Sequence, residues 1–146
     1  MSNTGLYTLT SGLHSEVIPD VSEESFIREI VAAGAGFDFC GEDFSTYGSH
    51  EVELIYVRTG GTENAFKEVF PRLEGRVTLL TSGASNSLAA SMEILSFLRQ
   101  QGREGEILHG SAAYIAERIA ALSRAARARR RLKGARRASS AAPPTG

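Results

Sequence analysis

Residues 77–98 place an apolar run, a turn of small residues and an amphipathic stretch in direct succession. The run over residues 77–80 is rich in strand-forming apolar side chains, as is typical of a strand that is covered on both faces. Residues 81–85 are small and mostly polar, so the chain can turn sharply after this strand. Ser85 or Asn86 is then well suited to be the N-cap of a helix. The expected apolar face of that helix consists of Leu88, Ala89, Met92, Ile94, Leu95 and Leu98.

The same succession of strand, turn and helix recurs along the rest of the chain. Predicted strands cover residues 6–10, 37–40, 52–57, 77–80 and 106–109. Predicted helices cover residues 22–34, 64–70, 85–102 and 113–131. Strands that alternate with helices indicate a parallel sheet with helices on its faces, joined by right-handed crossovers. The sequence therefore predicts a three-layer α/β fold of the Rossmann or flavodoxin-like kind, in which ligands bind beyond the carboxyl ends of the strands.

The length and composition favour one domain with a substantial core, since the chain has 146 residues of which 42% are hydrophobic. We expect this domain to cover residues 5–132 and to be followed by an irregular tail, residues 133–146. The net charge of -1 hides a segregation of charge. Acidic residues cluster in the range 16–74, whereas every charged residue in the range 118–137 is basic.

The basic segment, residues 118–137, has two interpretations. It can be a site for RNA or for an acidic surface. However, no aromatic side chain accompanies the arginines to stack on bases. We therefore expect a solvated linker and no nucleic-acid partner.

The chain contains one cysteine, Cys40, which excludes a disulfide framework within the chain and favours an intracellular, cytoplasmic location. We expect Cys40 to be a small residue at a strand end and not a reactive thiol. The first residues lack the charged and apolar regions of a secretory signal. No stretch has the roughly 18 uninterrupted apolar residues of a membrane span, so no membrane partner is expected.

Two turns at the expected carboxyl edge of the sheet are the candidate ligand-binding elements. Gly60 and Gly61 let the backbone approach a ligand closely, and the N-terminus of the following helix can hold an anion or a hydroxyl-rich group. Neither turn has the glycine pattern of a phosphate loop or of a dinucleotide-binding loop. Equally, the glycines can serve only to make a tight turn, and Glu63 and the serines can serve only to start a helix. The candidate substrate-binding residues are Thr59, Gly60, Gly61, Thr62, Glu63, Ser85 and Asn86.

The histidines and acidic residues do not form a recognisable catalytic or metal-binding pattern. His14, His50 and His109 are far apart in the sequence, without the spacing of a helical metal motif. The acidic residues 42–43, with His50 and Glu51, are a weak candidate for a metal site. Spacing alone suggests no Ser-His-Asp triad, so we assign neither a catalytic residue nor a metal ligand.

Three segments, residues 58–63, 79–95 and 107–111, carry a resemblance to a known family. Together they resemble the N-terminal domain of L-fucose isomerase-like proteins, which belong to the L-fucose/L-arabinose isomerase superfamily. The resemblance covers roughly residues 5–135, and the segment 79–95 is the most specific of the three.

The resemblance implies aldose–ketose isomerisation of a sugar substrate by a longer, homo-oligomeric protein. In this family a divalent ion, usually manganese, binds adjacent sugar oxygens while carboxylates move the proton. The family's metal-binding Glu, Asp and His lie in later domains, and no segment of this chain matches those motifs. The roles that the resemblance leaves to this domain are oligomer contacts and closure of a neighbouring subunit's sugar site. We therefore expect no cofactor in this chain and no activity from it alone; the alternative is a non-enzymatic module that binds sugars or other small ligands.

The tail breaks the pattern, because residues 137–146 are poor in apolar side chains and are expected to be coil-like. Codons chosen within the degeneracy of these residues can be read in the neighbouring frame as a strand and a glycine turn. That alternative reading resembles the segment that comes after this domain in the family. We therefore expect the tail to be a frameshift product, which the underlying DNA sequence decides.

Overall fold

Strands and helices alternate along the chain, as the sequence predicts. The computed structural model describes residues 2–9 and 25–141, with side chains up to residue 134. The strands are β1 (Thr4–Leu9), β2 (Asp38–Gly41), β3 (Val52–Val57), β4 (Val77–Leu80) and β5 (Gly105–Leu108). The helices are α1 (Ser25–Ala32), α2 (Glu63–Val69), α3 (Ser85–Gln100) and α4 (Ala112–Ala141), with short 3-10 turns at Phe44–Thr46 and Phe70–Arg72.

All neighbouring strands of the sheet are parallel, and their order is β2-β1-β3-β4-β5. This is the flavodoxin-like order, in which the succession of strands reverses direction between β1 and β3. These two strands pair over their whole length, from Thr4 opposite Val52 to Leu9 opposite Val57. The predicted three-layer parallel-sheet fold is confirmed.

The side chains of each strand point alternately to two separate cores, one on each face of the sheet. Leu54 of β3 belongs to the core that α1 and α4 cover. The next residue, Ile55, belongs to the core that α2 and α3 cover. The helices contribute Ile27, Ile30, Ile115 and Ile119 to the first core and Phe66, Ala90, Ile94 and Leu98 to the second. Each of the larger side chains stabilises the fold by about 1.5–3 kcal/mol through burial.

The buried face of α3 agrees with the predicted one only in part. Ile94 and Leu98 are buried as expected, whereas Met92, which we also expected to lie inward, is 60% exposed. The contact with the rest of the domain includes two buried serines. The hydroxyl of Ser91 donates to the backbone oxygen of Ser87 at 2.8 Å, and the hydroxyl of Ser87 donates to the backbone oxygen of Arg58 at 3.4 Å. Because these hydroxyls are satisfied, small polar residues pack inward, and a face drawn from apolar spacing alone is incomplete.

Helix α4 is longer than predicted. The predicted end at Arg131 is wrong, and the tail that we expected to be irregular is helical up to Ala141. Alanine and arginine, which dominate this stretch, are among the best helix formers, and the single Gly134 costs only about 1 kcal/mol in a helix. The domain boundary after residue 132 and the frameshift stay predictions. Within the ranges that the structure describes, no helix has the length and apolar character needed to cross a membrane.

Several predicted features lie outside the described residues. They are the end of the first strand at Thr10, the loop of residues 11–15 with His14, the start of the first helix at Ser22 and the end of the tail, residues 142–146. The described part of the first helix ends as expected. The backbone N–H of Gly34 donates to the oxygen of Val31 at 3.0 Å, and Gly34 has a φ of 109°. A glycine in this conformation is a common helix terminator.

Candidate functional site

The carboxyl ends of β3 and β4 lie side by side. These strands pair from Leu54 opposite Thr78 to Tyr56 opposite Leu80. The loops that follow them therefore start at neighbouring points on the same edge of the sheet. In parallel α/β sheets this edge is where ligands bind.

Local hydrogen bonds order the loop between β3 and α2. The hydroxyl of Thr62, which is fully buried, donates to the backbone oxygen of Thr59 at 3.4 Å. The backbone oxygen of Thr62 accepts the first helical hydrogen bond from the N–H of Phe66 at 2.9 Å. Gly61 has a φ of 73°, a left-handed conformation that glycine adopts readily. Thr62 thus fixes the loop from inside, while Thr59 and Gly61 stay exposed.

The loop between β4 and α3 turns in a similar way. The hydroxyl of Thr81, also fully buried, accepts a hydrogen bond from the N–H of Gly83 at 3.2 Å. Ala84 then occupies the N-cap position with a φ of -58° and a ψ of 139°. The predicted N-cap at Ser85 or Asn86 is therefore wrong, because the helix begins one position earlier than the polar residues suggested.

The two loops touch each other. A Cβ atom at Gly60 would lie 3.1 Å from the Cβ atom of Asn86. The hydroxyl of Ser87 also reaches across, donating to the backbone oxygen of Arg58 at 3.4 Å. A larger residue at position 60 would therefore push the start of α3 away from the loop. We call Thr59, Gly60, Gly61, Ser85 and Asn86 the carboxyl-edge surface. Thr62, which was predicted with them, is buried beneath it.

The first turn of α3 adds hydrogen-bond donors to the carboxyl-edge surface. No described side chain caps this helix. The backbone N–H groups of Ser85, Asn86 and Ser87 consequently have no acceptor within the helix. Ser85 and Asn86 are exposed. These donors and the positive end of the helix dipole attract the oxygens of an anion or of a hydroxyl-rich ligand.

Glu63 lies apart from the other predicted substrate-binding residues. It starts α2 and lines a crevice of about 220 Å³ between α2 and α3, together with Glu93. The hydrogen bond from Glu63 and its charge raise the pKa of the Glu93 carboxyl. Two carboxylates that share one crevice repel each other unless one is protonated. Glu63 therefore shares this crevice with Glu93 and is not counted in the carboxyl-edge surface.

A second polar cluster, which the sequence did not predict, lies at the amino edge of the sheet. Asp38 of β2 and Glu53 of β3 flank Gly5 of β1, since Gly5 pairs with both. His50 lies between them: its Nε2 is 3.0 Å from Asp38 Oδ2, and its Nδ1 is 3.1 Å from Glu53 Oε1. A Cβ atom at Gly5 would lie 2.6 Å from that Nδ1, so the ring needs a glycine beneath it. We call this cluster the Asp38–His50–Glu53 bridge.

Gly5 is the feature of the sequence that could have indicated the Asp38–His50–Glu53 bridge. A glycine inside a strand often marks the close approach of another group. The bridge ties the edge strand β2 to β3 across β1.

The two carboxyls of the bridge have pKa values that are shifted in opposite directions. The hydrogen bond from His50 lowers the pKa of Asp38. Burial raises the pKa of Glu53. Burial also raises the pKa of Tyr7 and that of Tyr47, and the charge of Glu53 adds to both shifts. Of the two carboxylates, Glu53 is the one whose surroundings fail to compensate its charge.

The weak metal-site candidate is not assembled. Glu51 instead pairs with Arg130, whose Nη1 lies 2.6 Å from Glu51 Oε1. Asp43 accepts the backbone N–H of Ser45 at 3.1 Å in a local turn, and His50 belongs to the bridge. Across residues 2–9 and 25–141, no group of three or more His, Cys, Asp or Glu side chains is placed to hold a metal ion.

Neither nucleophilic side chain near the bridge is activated. The hydroxyl of Ser49 lies 3.2 Å from Nδ1 of His50, while Asp38 faces Nε2, which gives the order of a Ser-His-Asp triad. Glu53 Oε1 faces the same Nδ1 at 3.1 Å, however, so the serine hydroxyl shares this nitrogen with a carboxyl group, unlike the serine of a triad. Burial raises the pKa of the Cys40 thiol, which is the opposite of what an activated thiolate needs.

Most described basic side chains of the segment 118–137 lie exposed on α4. Arg130 contacts Glu51, and Arg127 donates to the hydroxyl of Ser123 at 2.9 Å. The exposed basic side chains are Arg124, Arg127, Arg129, Arg130, Arg131 and Lys133. That this segment is a solvated linker without a nucleic-acid partner stays a prediction.

No protein-family model matches the chain, and neither does any curated protein or any solved structure. The flavodoxin-like topology supports many unrelated functions, so it does not indicate one by itself. Function must therefore be inferred from the carboxyl-edge surface, from the bridge and from their surroundings.

Proposed function

We propose that this chain is the N-terminal α/β domain of a carbohydrate ketol-isomerase-like protein, in which the carboxyl-edge surface contacts the sugar and other domains carry out the chemistry. The observation that carries this proposal is the contact between Gly60 and Asn86. It joins in space two of the three segments on which the family resemblance rests, residues 58–63 and 79–95.

The third segment supports the same proposal. Residues 107–111 include the carboxyl end of β5, which pairs with β4 up to Leu80 opposite Leu108. The three segments therefore contain or directly follow the carboxyl ends of three neighbouring strands. A shared ligand-facing edge is a physical reason for these segments to carry the resemblance.

The chemistry of the carboxyl-edge surface suits a sugar. Sugar hydroxyls both donate and accept hydrogen bonds. The hydroxyls of Thr59 and Ser85 can do the same, and the amide of Asn86 offers both a donor and an acceptor. The free N–H groups at the start of α3 add donors.

The same surface does not suit a resident manganese ion. Manganese prefers carboxylate, carbonyl and water oxygens, together with imidazole nitrogen in many sites. The surface offers hydroxyls, an amide and backbone groups, and Glu63 lies with Glu93 instead. The metal and the proton-transferring carboxylates of an isomerase thus belong, in this proposal, to other domains.

An isomerase assay tests whether the chemistry requires domains other than this one. The purified chain with manganese and L-fucose or L-arabinose should give no turnover, because the groups that hold the ion and move the proton are absent from the described residues. Clear conversion of either aldose to its ketose would contradict the proposal.

A calorimetric titration with the same sugars tests the surface. Asn86→Ala should weaken sugar binding about three- to tenfold, since it removes one or two neutral hydrogen bonds. Ser96→Ala, at an exposed position farther along α3, is the matched control and should leave the affinity unchanged. Equal affinities of both variants would place the sugar elsewhere.

The second candidate function is a non-enzymatic module that binds sugars or other small ligands. The absence of an activated nucleophile or a metal cluster among the described residues is compatible with it. The two candidates differ in what they need: a self-sufficient module binds its ligand tightly without metal or further domains. Micromolar sugar binding by this chain in the presence of a chelator would favour the module.

A further inference from the structure

Two residues that line a cleft at the amino edge of the sheet each have a buried polar atom without a hydrogen-bond partner in the described part of the chain. The volume of the cleft is about 710 Å³, and Tyr47, His50, Glu53, Arg72, Glu74 and Arg76 contribute to its lining. The cleft lies at the opposite end of the strands from the carboxyl-edge surface, so it is a separate place in the molecule.

The first of these atoms is Glu53 Oε2. The side chain of Glu53 is 9% exposed. Its Oε1 accepts the backbone N–H of His50 at 2.6 Å and faces the ring Nδ1 as well. Its Oε2 is buried and has no hydrogen-bond partner among the described residues. A buried carboxylate oxygen without a partner is costly, because it has lost its water and gained nothing in return.

The second atom is the hydroxyl oxygen of Tyr47, which is also buried and without a partner among the described residues. The ring of Tyr47 packs against Tyr7 at a centroid distance of 5.1 Å and against Phe44 at 6.3 Å. These contacts fix the ring, so the hydroxyl cannot swing out to solvent freely. Tyr47 and Glu53 line the same cleft.

Three of the nearby basic side chains already contact other groups. His50 contacts Oε1 of Glu53 and the carboxylate of Asp38. Arg76 pairs with Glu106 at 3.4 Å. Arg103 donates to the backbone oxygens of Leu73 and Gly75 at 3.0 and 2.6 Å. Neither these side chains nor Arg72, which lines the same cleft, donates a hydrogen bond to Glu53 Oε2 or to the Tyr47 hydroxyl oxygen. The group that would complete this cleft is therefore a positively charged donor that enters from outside.

We propose that this cleft binds small molecules through a primary ammonium group, which donates hydrogen bonds to Glu53 Oε2 and to the Tyr47 hydroxyl oxygen. An ammonium group is compact, carries three donors and can reach a buried oxygen. Arg72, which lines the same cleft, is placed to receive a carboxylate if the ligand is an amino acid.

Other ligand classes fit less well. A metal ion needs several anionic or imidazole ligands, and no suitable group of three exists in the described part of the chain. An anion would be repelled by the buried carboxylate of Glu53. A neutral alcohol could donate to Oε2, but it would bring no charge to offset that of the carboxylate.

Calorimetric titration of the whole chain at neutral pH tests the proposal, with ethylammonium chloride, glycine and ethanol as probes. Ethylammonium and glycine should bind, and ethanol should not. Glycine should bind more tightly than ethylammonium, and Arg72→Met should remove this advantage. If neither amine binds, or if ethanol binds as well as ethylammonium, the cleft holds only water and the proposal fails.

Two variants tie the binding to the two atoms. Glu53→Gln should weaken ethylammonium binding at least about tenfold, since it removes a charge-assisted hydrogen bond. Tyr47→Phe should weaken it about three- to tenfold. Because the Tyr47 hydroxyl has no partner in the described residues, Tyr47→Phe should fold as the parent does, so it decides the outcome even if Glu53→Gln disturbs the bridge. Unchanged affinity in Tyr47→Phe would overturn the proposal.

Discussion

The residue with the clearest physical requirement is Gly5. Its neighbours across the sheet are Asp38 and Glu53, and the ring of His50 occupies the space above it. A side chain here would collide with the ring and break the contacts that tie β2 to β3. The missing side chain of one residue therefore makes room for a hydrogen-bonded bridge between three others.

Replacement of Gly5 by alanine should destabilise the fold. The added Cβ would lie 2.6 Å from His50 Nδ1, so the ring must move. We expect a loss of about 1–3 kcal/mol in the free energy of unfolding, as for other overpacked sites. Urea denaturation measures this loss. Gly36→Ala is the matched control, because nothing lies within 4 Å of its added Cβ, and equal losses in the two variants would contradict the account.

The stability contributed by Asp38 should depend on pH. The hydrogen bond from His50 lowers the pKa of Asp38 below its usual value of 3.8. A carboxyl whose pKa falls on folding contributes stability above its unfolded pKa and loses it as the pH falls through the folded pKa. The parent should therefore be more stable than Asp38→Asn near neutral pH, and the difference should vanish in strong acid.

Urea denaturation of the parent and of Asp38→Asn over a series of pH values measures this dependence. The raised pKa of Glu53 acts in the opposite direction, since its folded form binds protons more tightly and stability falls as the pH rises through that range. Both proteins contain Glu53, so its effect largely cancels in the difference. A difference that stays constant down to strong acid would show that Asp38 does not depend on His50.

At the scale of single elements, α3 is the helix where apolar spacing misled. Its inward face combines Ile94 and Leu98 with Ser87 and Ser91, whose hydroxyls bond to backbone oxygens. A hydrophobic pattern treats every serine as exposed, so it does not predict the burial of serines whose hydroxyls are hydrogen-bonded to the backbone. The apolar Met92 lies on the outer side as a consequence.

A pair of alanine substitutions in α3 checks this face. Ile94→Ala should cost about 2–4 kcal/mol, because it leaves a cavity beneath the helix. Met92→Ala, only two residues away, should change stability by no more than about 0.5 kcal/mol, because Met92 is largely exposed. Thermal or urea denaturation of both variants measures these changes. Similar losses of stability in the two variants would mean that Met92 lies inward, as apolar spacing predicts.

The predictions from sequence succeeded where the signals are local. The strands 52–57 and 77–80 were placed correctly, because apolar β-forming runs between turn residues are contained within a few positions. The Asp38–His50–Glu53 bridge was missed, because it depends on which strands pair and in what register. The end of α4 was misplaced because the tail was judged by its lack of apolar side chains, although its alanines and arginines favour a helix.

At the scale of the whole molecule, β3 connects two separate polar regions. Glu53 near its start belongs to the bridge and to the amino-edge cleft, and Val57 at its end leads into the carboxyl-edge surface. Four residues of a strand separate these points by roughly 13 Å. The sequence predicted a parallel sheet but not the order β2-β1-β3-β4-β5, which arises from packing between distant segments.

The two edges should therefore act independently. Gly5→Ala disturbs the amino edge, and Gly60→Ala disturbs the contact with Asn86 at the carboxyl edge. The loss of stability in the double variant should equal the sum of the single losses within about 0.5 kcal/mol. Urea denaturation of the three variants measures the coupling, and a larger deviation would mean that strain passes along β3 from one edge to the other.

The most direct test of the proposed function is an NMR titration of the isotope-labelled chain with L-fucose, in which the backbone amide signals are followed. If the carboxyl-edge surface contacts the sugar, the signals that shift should cluster in residues 59–62 and 85–86 and should respond less in Asn86→Ala. Shifts that instead cluster at the amino edge, or no shifts at high sugar concentration, would contradict the account.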